Sequence, residues 1–428
     1  MRISVAGLWH LGTVTAACCA SSGHEVVAFD DDPATIANLR ESRVPVEEPG
    51  LADLVRSEMS AARLRFTNDP SEISDAEILW IAYDTPVNEN DIADTEFVQS
   101  RITRLVPYLK PGAIVLISSQ MPVGSTATLA QSRTDLTFAY SPENLRLGKA
   151  LETFLKPDRV VIGVRDESNR DRLTDLFAPF TTNLEWMSIE SAEMTKHALN
   201  AFLATSVAFI NEVASICELT GADAQEVERG LKTDLRIGRR AYLHPGDAFA
   251  GGTLARDVRF LLELAKQKTT PAYLLQGVLE SNSSHKLWIR RRIGELLQDM
   301  QGKTIAILGL TYKPGTNTLR RSAAVELCYW LNQHGAIVQA FDPAIRDLTS
   351  DAANKIVLAE SAEMALRGAD AAVIATPWPE FQTIPPALFN REMRGAVVLD
   401  PGRHLEKQLR KESEIKYFAI GVSHEVGR

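Results

Sequence analysis

Two stretches of this 428-residue chain alternate short apolar strands with helical segments, and this pattern constrains the fold more than any other feature. The first stretch opens with RISVAGL at residues 2–8, and the second opens with TIAILGL at 304–310. Strands that are apolar along their whole length are typical of parallel sheets covered by helices on both faces. The sequence therefore predicts the α/β class with two Rossmann-like, doubly wound domains. Further strands are predicted at 25–30, 78–83, 113–118, 136–140 and 159–164, and at 336–342, 370–376 and 395–400.

A long helix is predicted between the two domains. Residues 189–220 contain neither proline nor glycine, and Gly221 follows them. At a rise of 1.5 Å per residue such a helix extends about 45 Å. A second helical pattern runs through 254–300. We therefore expect an N-terminal domain at 1–187, a central helical domain at 188–300, and a C-terminal domain at 301–428.

Composition excludes some partners. A net charge of −9 argues against nucleic acid or an anionic membrane as the main partner. We find neither a signal peptide nor an apolar stretch near the length of a membrane span, which predicts a cytoplasmic protein. Cys18, Cys19, Cys217 and Cys328 fall in helical patterns without metal-binding spacing, so we expect reduced thiols and no metal site.

The turn after the first strand resembles a dinucleotide-binding turn. Gly7 and Gly12 fit the first and third glycines of G-x-G-x-x-G, while Trp9 replaces the middle one. Asp30 closes the second strand, where an acidic side chain binds a ribose 2′-hydroxyl and disfavours a 2′-phosphate. The pattern predicts NAD as the cofactor. The alternative is a Rossmann domain whose nucleotide site is blocked by Trp9.

Several segments resemble, in order, the motifs of one family. On the predicted central helix, Lys196 and Asn200 lie four residues apart and hence on one face. The segments are 44–51 (VPVEEPGL), 84–86 (DTP), 121–125 (MPVGS), 141–146 (SPENLR), 209–212 (FINE), 236–238 (RIG), 249–257 (FAGGTLARD) and 310–322 (LTYKPGTNTLRRS). On all these residues the chain is identified as a member of the UDP-glucose/GDP-mannose dehydrogenase family, whose enzymes oxidise an alcohol through an aldehyde to an acid with NAD.

The resemblance implies roles for individual residues. Lys196 would stabilise a developing alkoxide, Asn200 would hold a water or the sugar oxygen, and Asp257 would be the general base for water. Thr253 is the fourth catalytic candidate, because it stands where the family carries its nucleophilic cysteine. The implied cofactor-binding residues are Gly7, Trp9, His10, Leu11, Gly12, Asp30, Thr85, Pro86, Gln120, Arg256 and Arg320. The implied substrate-binding residues are Glu143, Leu147, Arg236, Tyr242, Gly246, Ala250 and Lys313.

The resemblance also implies partners. A nucleotide sugar, and in particular a UDP-sugar, is the expected substrate. A homodimer is expected because in the family the central helix forms the interface. The arginine at the position of Arg236 reaches across that interface to the substrate of the neighbouring subunit.

Other departures from the family pattern accompany Thr253. Gln120 replaces a threonine, Leu147 a glutamate, Arg256 a lysine and Trp9 a glycine. A threonine hydroxyl is a weak nucleophile without an adjacent base. Because Thr253 is accompanied by these other departures, the sequence predicts a coordinated change of the catalytic side chains. Three hypotheses remain. The protein oxidises a nucleotide sugar without a thioester, stopping at the aldehyde or continuing through its hydrate; it catalyses a redox-neutral, epimerase-type reaction; or it binds NAD and a nucleotide sugar without catalysis.

Overall fold

The computed structural model describes residues 1–86, 88, 93–143, 145–249, 251–319 and 322–423. The chain forms two compact units. The N-terminal unit comprises 1–201 and 251–271, and the C-terminal unit comprises 202–250 and 272–428.

The N-terminal unit is built on an eight-stranded sheet with the order β3-β2-β1-β4-β5-β6-β7-β8. Neighbouring strands are parallel except β6 and β7. The central strands are buried on both faces, as the continuous apolar runs predict. The strands are β1 (Arg2–Ala6), β2 (Glu25–Phe29), β3 (Leu64–Thr67), β4 (Ile78–Ile81), β5 (Ile114–Ile117), β6 (Thr137–Tyr140), β7 (Val160–Val164) and β8 (Leu184–Met187).

The C-terminal unit repeats the pattern with a six-stranded sheet in the order β11-β10-β9-β12-β13-β14, all parallel. Its first turn resembles that of the N-terminal unit, since Gly309 (φ +93°) occupies the position of Gly7 (φ +92°). The fold class is confirmed. The strands are β9 (Thr304–Leu308), β10 (Ile337–Phe341), β11 (Val357–Leu358), β12 (Ala371–Ile374), β13 (Val397–Leu399) and β14 (Lys416–Phe418).

Helices cover both sheets and connect their strands. Local signals fix several of their ends: α2, for example, begins at Pro33, and the Asp32 carboxylate caps its first N–H groups. The helices are α1 (His10–Ser21), α2 (Pro33–Arg40), α3 (Leu51–Ser60), α4 (Thr95–Leu105), α5 (Ser125–Ala130), α6 (Ala150–Leu155), α7 (Arg170–Phe177), α8 (Ile189–Thr220), α9 (Ala224–Thr233), α10 (Arg256–Gln267), α11 (Tyr273–His285), α12 (Trp288–Leu297), α13 (Ala323–Gln333), α14 (Ser350–Ala353), α15 (Ala362–Leu366), α16 (Pro386–Glu392) and α17 (Glu406–Leu409).

The predicted central helix is confirmed as α8, which has 32 residues. The expectation that no apolar stretch comes near the length of a membrane span is wrong, because α8 is long and apolar enough, by length and composition, to cross a membrane. The polar residues Glu193, Lys196 and His197 interrupt its apolar residues, so no unbroken run is visible in the sequence. All three side chains are buried within the protein.

Two further expectations need correction. The strand β7 runs antiparallel to β6, whereas the pattern predicted a parallel sheet. An apolar run has the same composition in either direction, so it carries no information about strand direction. The helical pattern at 254–300 is three helices, α10 to α12. The break between α10 and α11 falls where Thr269 adopts a left-handed φ of +53° and Pro271 lacks an N–H.

Candidate active site

The turn between β1 and α1 has the shape that a bound dinucleotide requires. Gly7 has a φ of +92°, and a Cβ on Gly12 would lie 1.8 Å from the Gly7 carbonyl oxygen, so both positions need glycine. Trp9 has a φ of −77°, which any L residue adopts, and 52% of it is exposed. The first N–H groups of α1 have no intrahelical acceptors, and such a helix N-terminus can bind an anion.

Asp30 follows β2 and lies beside this turn. Its Oδ2 accepts the N–H of Leu8 at 2.7 Å, and its Oδ1 accepts the N–H of Asp32 at 3.0 Å. These bonds fix the carboxylate, and each oxygen keeps a lone pair for a ribose hydroxyl. Leu11 packs against the core next to the turn. The residues at this turn therefore fit NAD.

The ends of β4 and β5 meet beside the dinucleotide turn. The Thr85 hydroxyl donates to the backbone oxygen of Gln120 at 2.6 Å. The carbonyl of Pro86 accepts the N–H of Asp94 at 2.8 Å. The guanidinium of Arg256 donates to the Thr85 carbonyl at 3.4 Å. Three predicted cofactor residues, Thr85, Gln120 and Arg256, are thereby brought together.

Asp257 is the centre of a buried hydrogen-bond cluster. Its Oδ2 accepts N–H groups from the amides of Gln120, at 2.5 Å, and Asn200. Its Oδ1 lies 2.7 Å from Nδ1 of His197. No part of Asp257 is exposed to solvent. Each carboxylate oxygen therefore has a polar neighbour, and because the side chain is fully buried, water can reach Asp257 only after this cluster opens.

Gln120, itself a departure from the family pattern, links a second departure, Arg256, to Asp257. Its Nε2 donates to Asp257, and its Oε1 accepts a hydrogen bond from the Arg256 guanidinium. A threonine at this position has neither the length nor the second polar atom for both contacts. The expected clustering of departures is thus visible for Gln120 and Arg256.

Lys196 is held against the loop after β6. Its Nζ donates to the Glu143 carbonyl at 2.6 Å and lies 3.6 Å from Glu143 Oε1. The N–H of Leu145 donates to the other carboxylate oxygen of Glu143 at 2.7 Å. Lys196 is buried whereas Glu143 is half-buried. An ammonium on a rigid helix, anchored through one of its three hydrogens, can present the others to a substrate oxygen.

Thr253 lies in a π-helical turn, Gly251–Ala255, directly before α10. Its side chain is exposed. Among the described residues, none forms a hydrogen bond with its hydroxyl. Leu147 is exposed as well.

Glu48 has a structural role that the sequence analysis left unassigned. Its Oε1 accepts the N–H of Ala150 at 2.7 Å, and its Oε2 accepts the N–H of Gly148 and lies 3.0 Å from Nε2 of His10. Burial opposes ionisation, but these hydrogen bonds outweigh it and hold the pKa of Glu48 below its ordinary value of 4.5. Glu48 thereby joins the dinucleotide turn to the loop that carries Glu143 and Leu147.

Replacing Glu48 by glutamine should lower the free energy of unfolding by about 1–3 kcal/mol at pH 7, because an amide NH₂ would face backbone N–H groups. A lowered folded-state pKa contributes stability above pH 4.5 that is lost as the pH falls through the folded pKa. The difference between Glu48→Gln and the wild type in urea unfolding should therefore shrink below pH 4.5. The matched control is Glu47→Gln, since Glu47 is adjacent but exposed. Equal losses for both variants would contradict the assignment.

The C-terminal unit carries the other predicted substrate residues. Arg236 is exposed and pairs with Asp234 at 2.7 Å, and Tyr242 is exposed. The N–H of Gly246 donates to Asn211 at 3.0 Å. Lys313 is half-buried, and its carbonyl accepts the Thr316 hydroxyl at 2.8 Å. Ala250 and Arg320 lie outside the described residues.

Two buried side chains of α8 were missed by the sequence analysis. Glu193 accepts the N–H groups of Gly124, at 2.6 Å, and Thr126, at 3.0 Å, and so holds the first turn of α5. His197 contacts Asp257. The sequence feature that could have identified them is their position, because they are polar residues near Lys196 and Asn200 in an otherwise apolar helix. Across the described residues, no group of three or more His, Cys, Asp or Glu side chains is arranged to hold a metal ion.

A Rossmann unit with this turn, beside a buried cluster of lysine, asparagine and aspartate, defines a dinucleotide-dependent dehydrogenase. Three family models match the chain: the NAD binding domain at residues 1–181, the central domain at 190–284 and the UDP binding domain at 306–407. The chain belongs to the UDP-glucose/GDP-mannose dehydrogenase family. It is accordingly an NAD-dependent nucleotide-sugar dehydrogenase, with NAD as its cofactor.

Individual relatives span nearly the whole chain. The UDP-glucose 6-dehydrogenase of Pseudomonas aeruginosa is 36% identical, over 99% of this chain and 97% of that protein. A UDP-glucose 6-dehydrogenase of Bacillus subtilis is 34% identical, over 94% and 89%. The structure of a UDP-glucose dehydrogenase from the archaeon Pyrobaculum islandicum matches with a TM-score of 0.85 at 29% identity, over 99% and 98%.

Proposed function

We propose that this protein oxidises a CH–OH group of a UDP-sugar with NAD and stops at the aldehyde, releasing one NADH per sugar without a covalent intermediate. The substrate class is supported by the UDP binding domain model and by the relatives named as UDP-glucose 6-dehydrogenases. The observation that carries the proposal is the environment of Thr253, which has an exposed hydroxyl and no hydrogen-bonded base among the described residues.

The first oxidation has the side chains that it requires. NAD, when bound, supplies the hydride acceptor. The Lys196 ammonium stabilises the negative charge that develops on the sugar oxygen as the C–H bond breaks. The hydroxyl proton leaves the same oxygen, and Glu143 Oε1, which lies 3.6 Å from the Lys196 Nζ, would accept it. The products are an aldehyde, NADH and a proton, which balances the two-electron oxidation.

A second oxidation would need a nucleophile on the aldehyde. The Thr253 hydroxyl would have to lose its proton, and a hydroxyl is not activated without an adjacent base or a lowered pKa. Water would be the other nucleophile, with Asp257 as its base. The Asp257 carboxylate is fully buried and engaged by Gln120, Asn200 and His197. We therefore expect neither Thr253, which has no adjacent base, nor the buried Asp257 to start a second oxidation.

Alkylation distinguishes this account from one with a substitute thiol. Burial raises the pKa of Cys18 and Cys328 to about 12, and raises those of Cys19 and Cys217 as well, so all four remain protonated thiols at neutral pH. We expect iodoacetamide to leave the native protein unlabelled and fully active. The variant Thr253→Cys, with an exposed thiol, should take up one label at that position, read by peptide mass spectrometry. Inactivation of the wild type by labelling of a native cysteine would contradict the proposal that no covalent intermediate forms.

We further propose a homodimer formed through α8. Phe202, Phe209 and Ile216 are seven residues apart, lie on one face of the helix and are exposed, as is Leu219. A second copy of the chain would bury this stripe, and light scattering of the wild type against Phe209→Glu tests it. Arg236, freed from Asp234, would then be available to the substrate of the neighbouring subunit.

A cytoplasmic location and the three-domain division at 1–187, 188–300 and 301–428 also remain proposals.

A further inference from the structure

His197 is the buried side chain that links the catalytic candidates, although no motif in the sequence points to it. It lies on α8 directly after Lys196 and is 1% exposed. Its Nδ1 lies 2.7 Å from Asp257 Oδ1, and its Nε2 lies 2.9 Å from the backbone oxygen of Met121. The ring of Phe260 packs edge-on against it at 5.1 Å. Both ring nitrogens therefore face oxygen atoms.

These contacts determine how many protons the pair holds. A backbone carbonyl can only accept, so Nε2 of His197 carries a hydrogen. The contact between Nδ1 and Asp257 Oδ1 needs a second proton, on the imidazole or on the carboxyl group. The other carboxylate oxygen accepts two amide N–H groups, from Gln120 and Asn200, and such donors stabilise the ionised carboxylate. These two bonds favour the placement of the second proton on the imidazole over its placement on the carboxyl group.

We propose that His197 is a positioning residue: its imidazolium balances the buried charge of Asp257 and thereby fixes the amide orientations of Asn200 and Gln120. An ionised Asp257 accepts both amide N–H groups, so each amide presents its oxygen elsewhere. For Gln120 that oxygen accepts the Arg256 guanidinium. For Asn200 it is left for a hydroxyl of the sugar. Because His197 supplies the counter-charge, the Lys196 ammonium is not needed to neutralise Asp257. It remains available for the substrate.

The role towards the sugar rests on the proposed function, whereas the protonation state does not. A spectroscopic test therefore separates the two. In the full-length protein labelled with ¹⁵N-histidine, the ring nitrogens of His197 should both be protonated at pH 7. His285 is the internal reference, because its Nε2 donates to the Gly246 carbonyl at 2.8 Å while burial lowers its pKa, so only one of its nitrogens should be protonated. The variants His197→Gln and His285→Gln assign the signals.

An unprotonated Nδ1 in His197 would place the proton on Asp257 and overturn the proposal, whatever the enzyme's activity. The kinetic counterpart is His197→Asn, which keeps a neutral donor near the position of Nδ1 but removes the charge. We expect its kcat to fall by about 10²-fold through loss of alignment, with a smaller rise in KM. An unchanged kcat in a folded His197→Asn protein would equally overturn the positioning role. If both ring nitrogens of His197 are protonated but the protein does not oxidise the sugar, the result contradicts the proposed function and leaves the protonation state of His197 intact.

Discussion

Replacing Asp257 by alanine is expected to lower the free energy of unfolding by about 3–5 kcal/mol and to remove turnover. The change takes away the acceptor of three buried side chains and leaves the His197 imidazolium without its counter-charge. Breaking a buried pair by removing one partner has a cost of this size. Urea unfolding monitored by circular dichroism measures the stability, and NADH absorbance measures the turnover.

The control for this variant is Asp171→Ala. Asp171 is likewise an aspartate in the first turn of a helix, α7, but it is exposed. We expect its loss to stay within about 0.5 kcal/mol, as for most surface substitutions. A loss of that small size in Asp257→Ala would contradict the hydrogen-bond cluster on which the site is built.

The second large effect is expected for Lys196→Met, which should lower kcat by about 10²–10³-fold. Methionine keeps most of the length of the side chain but removes the ammonium that stabilises the developing alkoxide, and deletion of one such group has an effect of this order. Steady-state NADH formation with a UDP-sugar measures it. Because methionine also removes the bond from Nζ to the Glu143 carbonyl, unfolding curves of the variant must be recorded alongside.

Lys266→Met serves as its control, since Lys266 lies in the last turn of α10 and is exposed. The control should retain the kcat of the wild type. If Lys196→Met kept a kcat within twofold of the wild type while remaining folded, Lys196 would have no part in the chemical step.

Much of the fold could be predicted from local patterns. The runs RISVAGL and TIAILGL locate β1 and β9, and the absence of proline and glycine at 189–220 locates α8 with its ends correct. The direction of β7 could not be predicted, because an apolar run is the same in both directions. Short edge strands such as β11, with two residues, carry too few residues for a periodic signal.

The site could be predicted only as a set of candidates. Asp257 was found by its spacing in the glycine-rich loop, and Lys196 and Asn200 by their spacing on a helix. The contacts of Asp257 join residues 57 to 137 positions apart in the sequence, and no local pattern reports such a separation. Gln120 was recognisable as a departure, yet its bridge from Arg256 to Asp257 needed the structure. His197 had no motif at all.

The number of NADH molecules formed for each UDP-sugar consumed tests the central claim most directly. The measurement uses excess NAD, with hydroxylamine to trap the aldehyde, and compares the wild type with Thr253→Cys under the same conditions. The account predicts one NADH per sugar in the wild type, with the trapped aldehyde as the product. Two NADH per sugar and an acid product would contradict it by revealing a second oxidation. No NADH at all would also contradict it and would favour redox-neutral chemistry or binding without catalysis.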